Sequence, residues 1–210
     1  MRVGSKLRKN FNMKKEIKKI LQNKAVAIFI IAVLLVLFTL FIMKMFDNIE
    51  GNMNTKVKFE TNHGDIVIEL YSDMPVTAGN FKKLVEEGFY DGVIFHRIIP
   101  NFMIQGGDPT GTGSGGPEYK IDDEFVAGHS NVRGTLSMAN SGPNSGGSQF
   151  FINLVDNSFL DYDKQPVTSK HPVFGEIVEG MDVVDKIASV TTERGDKPVE
   201  DVVIVKASVI

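Results

Sequence analysis

The 210-residue sequence predicts a mainly β domain, a closed antiparallel barrel with two helices over its ends, preceded by one transmembrane helix. Three observations predict it. Residues 25–43 form an uncharged apolar run, the chain beyond residue 56 is a series of short apolar runs cut by Gly, Pro, Asn and Asp clusters, and only two stretches of it carry helical periodicity.

The run AVAIFIIAVLLVLFTLFIM (25–43) has Thr39 as its only polar side chain. As a helix of 1.5 Å rise it would be roughly 28 Å long, which matches a hydrocarbon core. A helix packed against the core of a small domain would keep one polar face, and a cleaved signal segment would be shorter and end in small residues, whereas this run passes into Lys44-Met45-Phe46. Residues 1–24 carry nine basic residues and one acid, Glu16. Lys14, Lys15, Lys18, Lys19 and Lys24 flank the run and place the N-terminus in the cytoplasm, so the expected location is a single-pass plasma-membrane protein with its domain extracytoplasmic. Met13 offers an alternative start that keeps the whole span. The organisation is therefore a basic cytoplasmic segment (1–24), a transmembrane helix (25–43), a linker rich in Asn and Asp (44–56) and one domain (57–210).

Within the domain, Val57–Glu60 and Ile66–Leu70 flank Asn62-His63-Gly64-Asp65 as a hairpin. Ser72 or Asp73 is expected to cap a helix with Pro75 in its first turn, Ala78, Phe81, Leu84 and Val85 on one face, and Gly88 as its stop. Strands are expected at 93–98, 102–105, 134–139, 149–154 and 173–178, and a second helix near 181–188 with Val184, Ile187 and Ala188 on one face. In the last strand Val203, Val205, Ala207 and Val209 would share one face.

Charge and composition exclude several functions. The segment 44–210 has net charge -11, against +8 for residues 1–24, so no nucleic acid is expected as a partner of the domain. Zero Cys excludes disulfides, a thiol nucleophile and Cys-type zinc sites. No G-x-S-x-G elbow occurs, and the run Gly111–Pro117 lacks the Lys-Ser/Thr ending of a phosphate loop, which makes it a turn. Asp122-Asp123-Glu124 reads as a solvated loop, His63 and His129 as solvated, and His96 as a core or hydrogen-bonding histidine.

Two stretches stand apart: Phe95-His96-Arg97-Ile98-Ile99-Pro100-Asn101-Phe102-Met103-Ile104-Gln105-Gly106-Gly107-Asp108, and Gly134 to Ile152, which contains Ser137-Met138-Ala139-Asn140 and Gly147-Ser148-Gln149-Phe150-Phe151. Alternation puts Phe95, Arg97 and Ile99 on one side, and Met103 with Gln105. An Arg on an apolar face either reaches solvent or serves a site, and pattern alone leaves both open.

These two stretches resemble, almost residue for residue, the signature segments of the cyclophilin-type peptidyl-prolyl cis-trans isomerases, with the likeness running from about Val57 to Ile210. The resemblance implies an eight-stranded antiparallel barrel capped by two helices. It implies Arg97 as the catalytic arginine with Gln105 as its polar partner, and Phe102, Met103, Phe151 and Leu160 as an apolar proline pocket. Ala139, Asn140 and Gln149 match the groove for the peptide backbone, and His171 matches the pocket rim. Phe159 stands where many members have Trp, which has an indole N–H that Phe lacks, so weak cyclosporin binding is expected. Residues 161–170 are longer than the usual family link and would form a lip beside the pocket.

The implied activity is acceleration of X-Pro bond rotation in secreted or surface proteins, with X-Pro-containing polypeptides as partners, in a bacterial, membrane-anchored form. No metal or cofactor is expected, because the barrier of roughly 18–20 kcal/mol arises from amide resonance and falls when the twisted amide is favoured. Two rival readings are a non-catalytic module that holds proline segments and a structural subunit of a membrane complex. Arg97 argues against the first, since holding a proline needs a pocket and no transition-state donor.

Overall fold

A computed structural model describes residues 13–16, 18–19, 23, 28–29, 32–43, 55–165 and 170–210. The chain divides into two units, Met1–Asn52 and Met53–Ile210. In the first, residues 32–43 are helical, and Leu34 to Phe38 are each more than half exposed. Among the described residues no helix is long and apolar enough to cross a membrane. The expected span 25–43 lies partly outside them, because 25–27, 30 and 31 are not described, and so does most of the linker 44–56.

The second unit opens with the hairpin, β1 (Thr55–Thr61) and β2 (Gly64–Leu70), paired so closely that Asn62 and His63 alone form the loop. Alternation buries Val57 and Phe59 from β1 and Ile66, Ile68 and Leu70 from β2. Helix α1 (Thr77–Glu86) lays Ala78, Phe81, Leu84 and Val85 into the same core, as the sequence predicts. It ends in a Schellman turn: Gly88, at φ +69°, donates its N–H to the Val85 carbonyl, and the Phe89 N–H reaches Leu84. Its start corrects the sequence reading. Neither Ser72 nor Asp73 caps the helix. The carboxylate of Glu124, 47 residues away, accepts the N–H groups of Val76 and Thr77 instead. An acid at a helix N-terminus satisfies orphan donors and opposes the dipole, so Glu124 is a structural cap and its loop is more than a solvated acidic run.

The remaining strands are β3 (Arg97–Ile99), β4 (Met103–Gly106), β5 (Thr135–Met138), β6 (Phe150–Asn153), β7 (Val173–Glu179) and β8 (Ile204–Val209), with α2 (Met181–Ala188) between the last two. Among the described residues, these eight strands join one antiparallel sheet in the order β3-β4-β6-β5-β7-β2-β1-β8. Its two ends meet without a full ladder. A bridge at Ile94–Val203 and the bonds Phe95 N–H to Val202 O and Ile204 N–H to Val93 O span the gap, so the expected closed barrel is closed only by this irregular seam.

Two strand faces differ from the alternation reading. In β8, Glu60 faces Lys206 while Thr61 faces Ile204, so Val205 is an extra residue in a bulge. That slip buries Ile204 and Ala207 and leaves Val205 57% exposed, breaking the expected run of Val203, Val205, Ala207 and Val209. In the other, strand pairing begins only at Arg97, so Phe95 lies in the irregular seam and is fully buried, and does not share a side with Arg97. His129 also differs from its solvated reading. Its ring lies 4.4 Å from Tyr71, and its Nε2 is 3.4 Å from Asp73.

Candidate active site

The sheet has two apolar faces. Ile98, Ile104, Leu136, Phe150 and Ile152 point into the main core. Their alternates Met103 and Phe151 point the other way and pack with Leu160, against Ile99, Phe102 and Ala139, as a second, smaller cluster. Leu160 arrives on a 3-10 turn, Ser158–Leu160. Four of the residues assigned to a pocket, Phe102, Met103, Phe151 and Leu160, thus meet in one place although up to 58 positions separate them.

Pairing then sets the polar residues beside this patch. Arg97 lies opposite Gln105 across β3 and β4, Gln105 opposite Phe151 across β4 and β6, and Phe151 opposite Ser137 across β6 and β5. Directly paired residues share a side of the sheet, so Arg97, Gln105 and Phe151 form one row. The Arg97 side chain is 43% exposed, with its Nε 3.5 Å from Asp196 Oδ2. Gln105 donates to Gln149 Oε1 (2.9 Å), and Gln149 Nε2 donates to the carbonyls of Gly113 and Gly115.

Ala139 and Asn140 follow β5 along the same edge. The Ala139 N–H donates to the Gln149 carbonyl, and Asn140 Nδ2 donates to the Lys170 carbonyl. Among the described residues nothing meets the backbone N–H or C=O of Asn140. A groove of about 370 Å³ runs past Gln105, Asn140, Gln149 and the Gly113–Gly116 turn, so the run 111–117 is a turn that lines a groove.

At the rim, the His171 ring meets Phe151 edge-on at 5.3 Å, and its Nδ1 donates to the Met138 carbonyl, which fixes the tautomer. Burial lowers the His171 pKa below its ordinary value and so favours the neutral ring, opposed in part by the Met138 bond. The His171 N–H bonds the Leu160 carbonyl and ties together the ends of the 161–170 segment, of which 166–169 lie outside the described residues. Phe159 is 58% exposed and stacks on Phe102 at 6.2 Å, outside the buried patch.

Sequence reasoning missed two supports. Asp108, 1% exposed, accepts the backbone N–H groups of Thr110, Thr112, Gly113 and Gly115 and so shapes the groove turn. Burial pushes its carboxyl up, but the donated N–H groups outweigh this and hold it well below the usual carboxylate range. The Asx-turn pattern of Asp108-Pro109-Thr110 was the available signal. The second support is a buried polar net beneath the pocket. Asp161 accepts from Ser130 and Asn131, Asn131 accepts from Ser137, and Asn157 donates to the Phe102 carbonyl and to Asn153. His96, buried beside Arg97, has neither ring nitrogen partnered among the described residues.

Comparison with known proteins gives this geometry its class. Residues 56–209 match the model of the family described as cyclophilin type peptidyl-prolyl cis-trans isomerase/CLD, and the chain belongs to that family. Peptidyl-prolyl cis-trans isomerase-like 1 of Gibberella zeae is 47% identical over 163 residues, covering 75% of this chain and 96% of the relative. Peptidyl-prolyl cis-trans isomerase ppi1 of Schizosaccharomyces pombe is 47% identical over 156 residues, covering 72% and 96%. A Streptococcus pyogenes relative whose name joins a phosphatase to a peptidyl-prolyl cis-trans isomerase is 46% identical over 185 residues, and the match spans only 39% of its length. A solved Cryptosporidium parvum cyclophilin type isomerase superposes with a TM-score of 0.68 at 33% identity, covering 75% of this chain and 98% of that one. The same protein was also solved in the presence of the dipeptide Ala-Pro. The activity is therefore peptidyl-prolyl cis-trans isomerisation.

Proposed function

We propose that the row Arg97, Gln105 and Phe151, beside the Met103-Phe151-Leu160 patch, is where X-Pro segments are turned over. One observation carries this reading: β-sheet pairing sets a half-exposed guanidinium two strands from a buried apolar patch on the same side of the sheet. The proline ring would sit on Met103, Phe151 and Leu160, flanked by Phe102 and His171. The segment's backbone would pair with the N–H and C=O of Asn140, which meet no partner among the described residues, in the manner of strand addition, with Ala139 and Gln149 along its path.

Rotation about the X-Pro bond removes amide resonance, so the prolyl nitrogen becomes pyramidal and gains a lone pair. A donor aimed at that nitrogen binds the twisted state better than either planar isomer. Arg97 is the donor in this reading, and Gln105, fixed through Gln149, holds the side of the groove next to it. No covalent step and no proton transfer is needed.

The location belongs to the same proposal: a bacterial protein held in the plasma membrane by residues 25–43, acting outside the cytoplasm on secreted or surface proteins. Its support is the uncharged run, the lysines before it, and the exposure of consecutive apolar residues from Leu34 to Phe38, which leaves no polar helix face.

Exchange spectroscopy on a short Ala-Pro peptide with the full chain tests the site. Phe151→Ala should weaken peptide binding by roughly tenfold or more, about 1.4 kcal/mol, because it removes the floor of the patch. Unchanged binding would place the proline elsewhere.

A further inference from the structure

We infer that Asp196 is a positioning residue that holds the Arg97 guanidinium in its working orientation, an inference that rests on the reading of Arg97 as the donor to the prolyl nitrogen. Arg97 begins β3, an end strand in the sheet order, and its side chain is about half exposed. A long side chain in that setting has many rotamers, and ordering it for each turnover costs conformational entropy. Among the described residues the guanidinium has one charged partner, Asp196, at 3.5 Å from Nε. A carboxylate on the Nε edge leaves both Nη groups for the substrate.

The backbone shows how this carboxylate is delivered. The Asp196 carbonyl accepts the N–H of Ile98 at 2.8 Å, which docks Asp196 against the residue that follows Arg97. Its turn is closed by Asp196 N–H to Glu193 O and Glu193 N–H to Lys197 O. Gly195 and Asp196 both have positive φ, +91° and +64°. Glycine or asparagine would suit that backbone as well as aspartate does, so what aspartate adds at this position is its charge beside Arg97. A backbone held in the left-handed region next to reacting groups fits a site under geometric constraint.

Asp196→Asn and Asp196→Gly both tolerate the left-handed conformation and remove the charge, which separates positioning from backbone strain. On the full chain, with a short X-Pro peptide, each should lower kcat about two- to fivefold, the range a half-exposed ion pair carries, with KM within about twofold of the parent and the melting temperature unchanged. In an Arg97→Ala background, Asp196→Asn should have no further effect on kcat. If Arg97→Ala is impaired while Asp196→Asn matches or exceeds the parent, or if Asp196→Asn costs the same factor in both backgrounds, this inference is overturned and the role of Arg97 stands. If Arg97→Ala keeps full activity, the role of Arg97 falls and this inference with it.

Discussion

Asp108→Asn tests how the groove turn is built. The change keeps the shape of the side chain and replaces one acceptor oxygen with an NH₂ group. Oδ2 accepts three backbone N–H groups, from Thr112 (3.1 Å), Gly113 (2.6 Å) and Gly115 (3.0 Å), and Oδ1 accepts the Thr110 N–H at 2.7 Å. The less costly amide orientation puts its nitrogen where Oδ1 was and orphans the Thr110 N–H, a penalty of about 1–3 kcal/mol in a buried site. The three surviving bonds lose their charge assistance, which brings the expected loss to roughly 2–5 kcal/mol. Urea unfolding of the parent and the variant measures it through the shift in midpoint at constant slope. The sign with pH follows from the depressed carboxyl. Its stabilisation is fully present above the unfolded-state pKa of about 3.9 and is lost as pH falls toward the lower folded-state value, because the unfolded chain then binds the extra proton. The parent should therefore lose its advantage over Asp108→Asn on going below about pH 4. A stability change under about 0.5 kcal/mol at pH 7 would mean that the turn stands without the carboxylate.

Three further outcomes are expected. Glu124→Ala removes the cap from α1 and should cost about 1 kcal/mol in urea unfolding while peptide affinity stays near the parent value; no change would show that water caps the helix equally well. Phe159→Trp should tighten cyclosporin binding relative to the parent in a calorimetric titration, because the indole N–H supplies a donor that Phe lacks; equal binding would make this position irrelevant to the drug. Protease added to intact cells stripped of outer layers should remove the isomerase domain and leave a short anchored fragment. Protection of the domain would invert the orientation, and recovery in the medium with a new N-terminus after residue 43 would make the apolar run a cleaved signal.

Local pattern carried the hairpin, the buried face of α1 and the span of α2, because each is written in neighbouring residues: alternation in 57–70, the spacing of Ala78, Phe81, Leu84 and Val85, and Val184 with Ile187. What escaped it depends on distant partners. Glu124 lies 47 residues from the helix it caps, and no local rule could choose it over Ser72 or Asp73. The bulge at Val205 reverses a face that strict alternation assigns, and it is set by the β1 pairing. Alternation gives Phe95 the same side as Arg97 because the irregular seam at 92–95 reads as strand from its composition. The site residues were legible through the resemblance of two contiguous stretches, yet their meeting at Met103, Phe151 and Leu160 follows from β-sheet order, which no single stretch contains. Asp196 lies in neither stretch, and its pairing with Arg97 emerges only from the fold.

Arg97, as donor to the prolyl nitrogen, should act on the twisted amide more than on the bound peptide. Exchange spectroscopy can measure both on one sample, giving the cis-trans interconversion rate of the bound X-Pro peptide and its dissociation constant, for the parent and for Arg97→Ala. Arg97→Ala should lower the interconversion rate by roughly 10²–10³ and change affinity only a few-fold. A rate within a few-fold of the parent, or a loss that lies wholly in affinity, would contradict this role of Arg97.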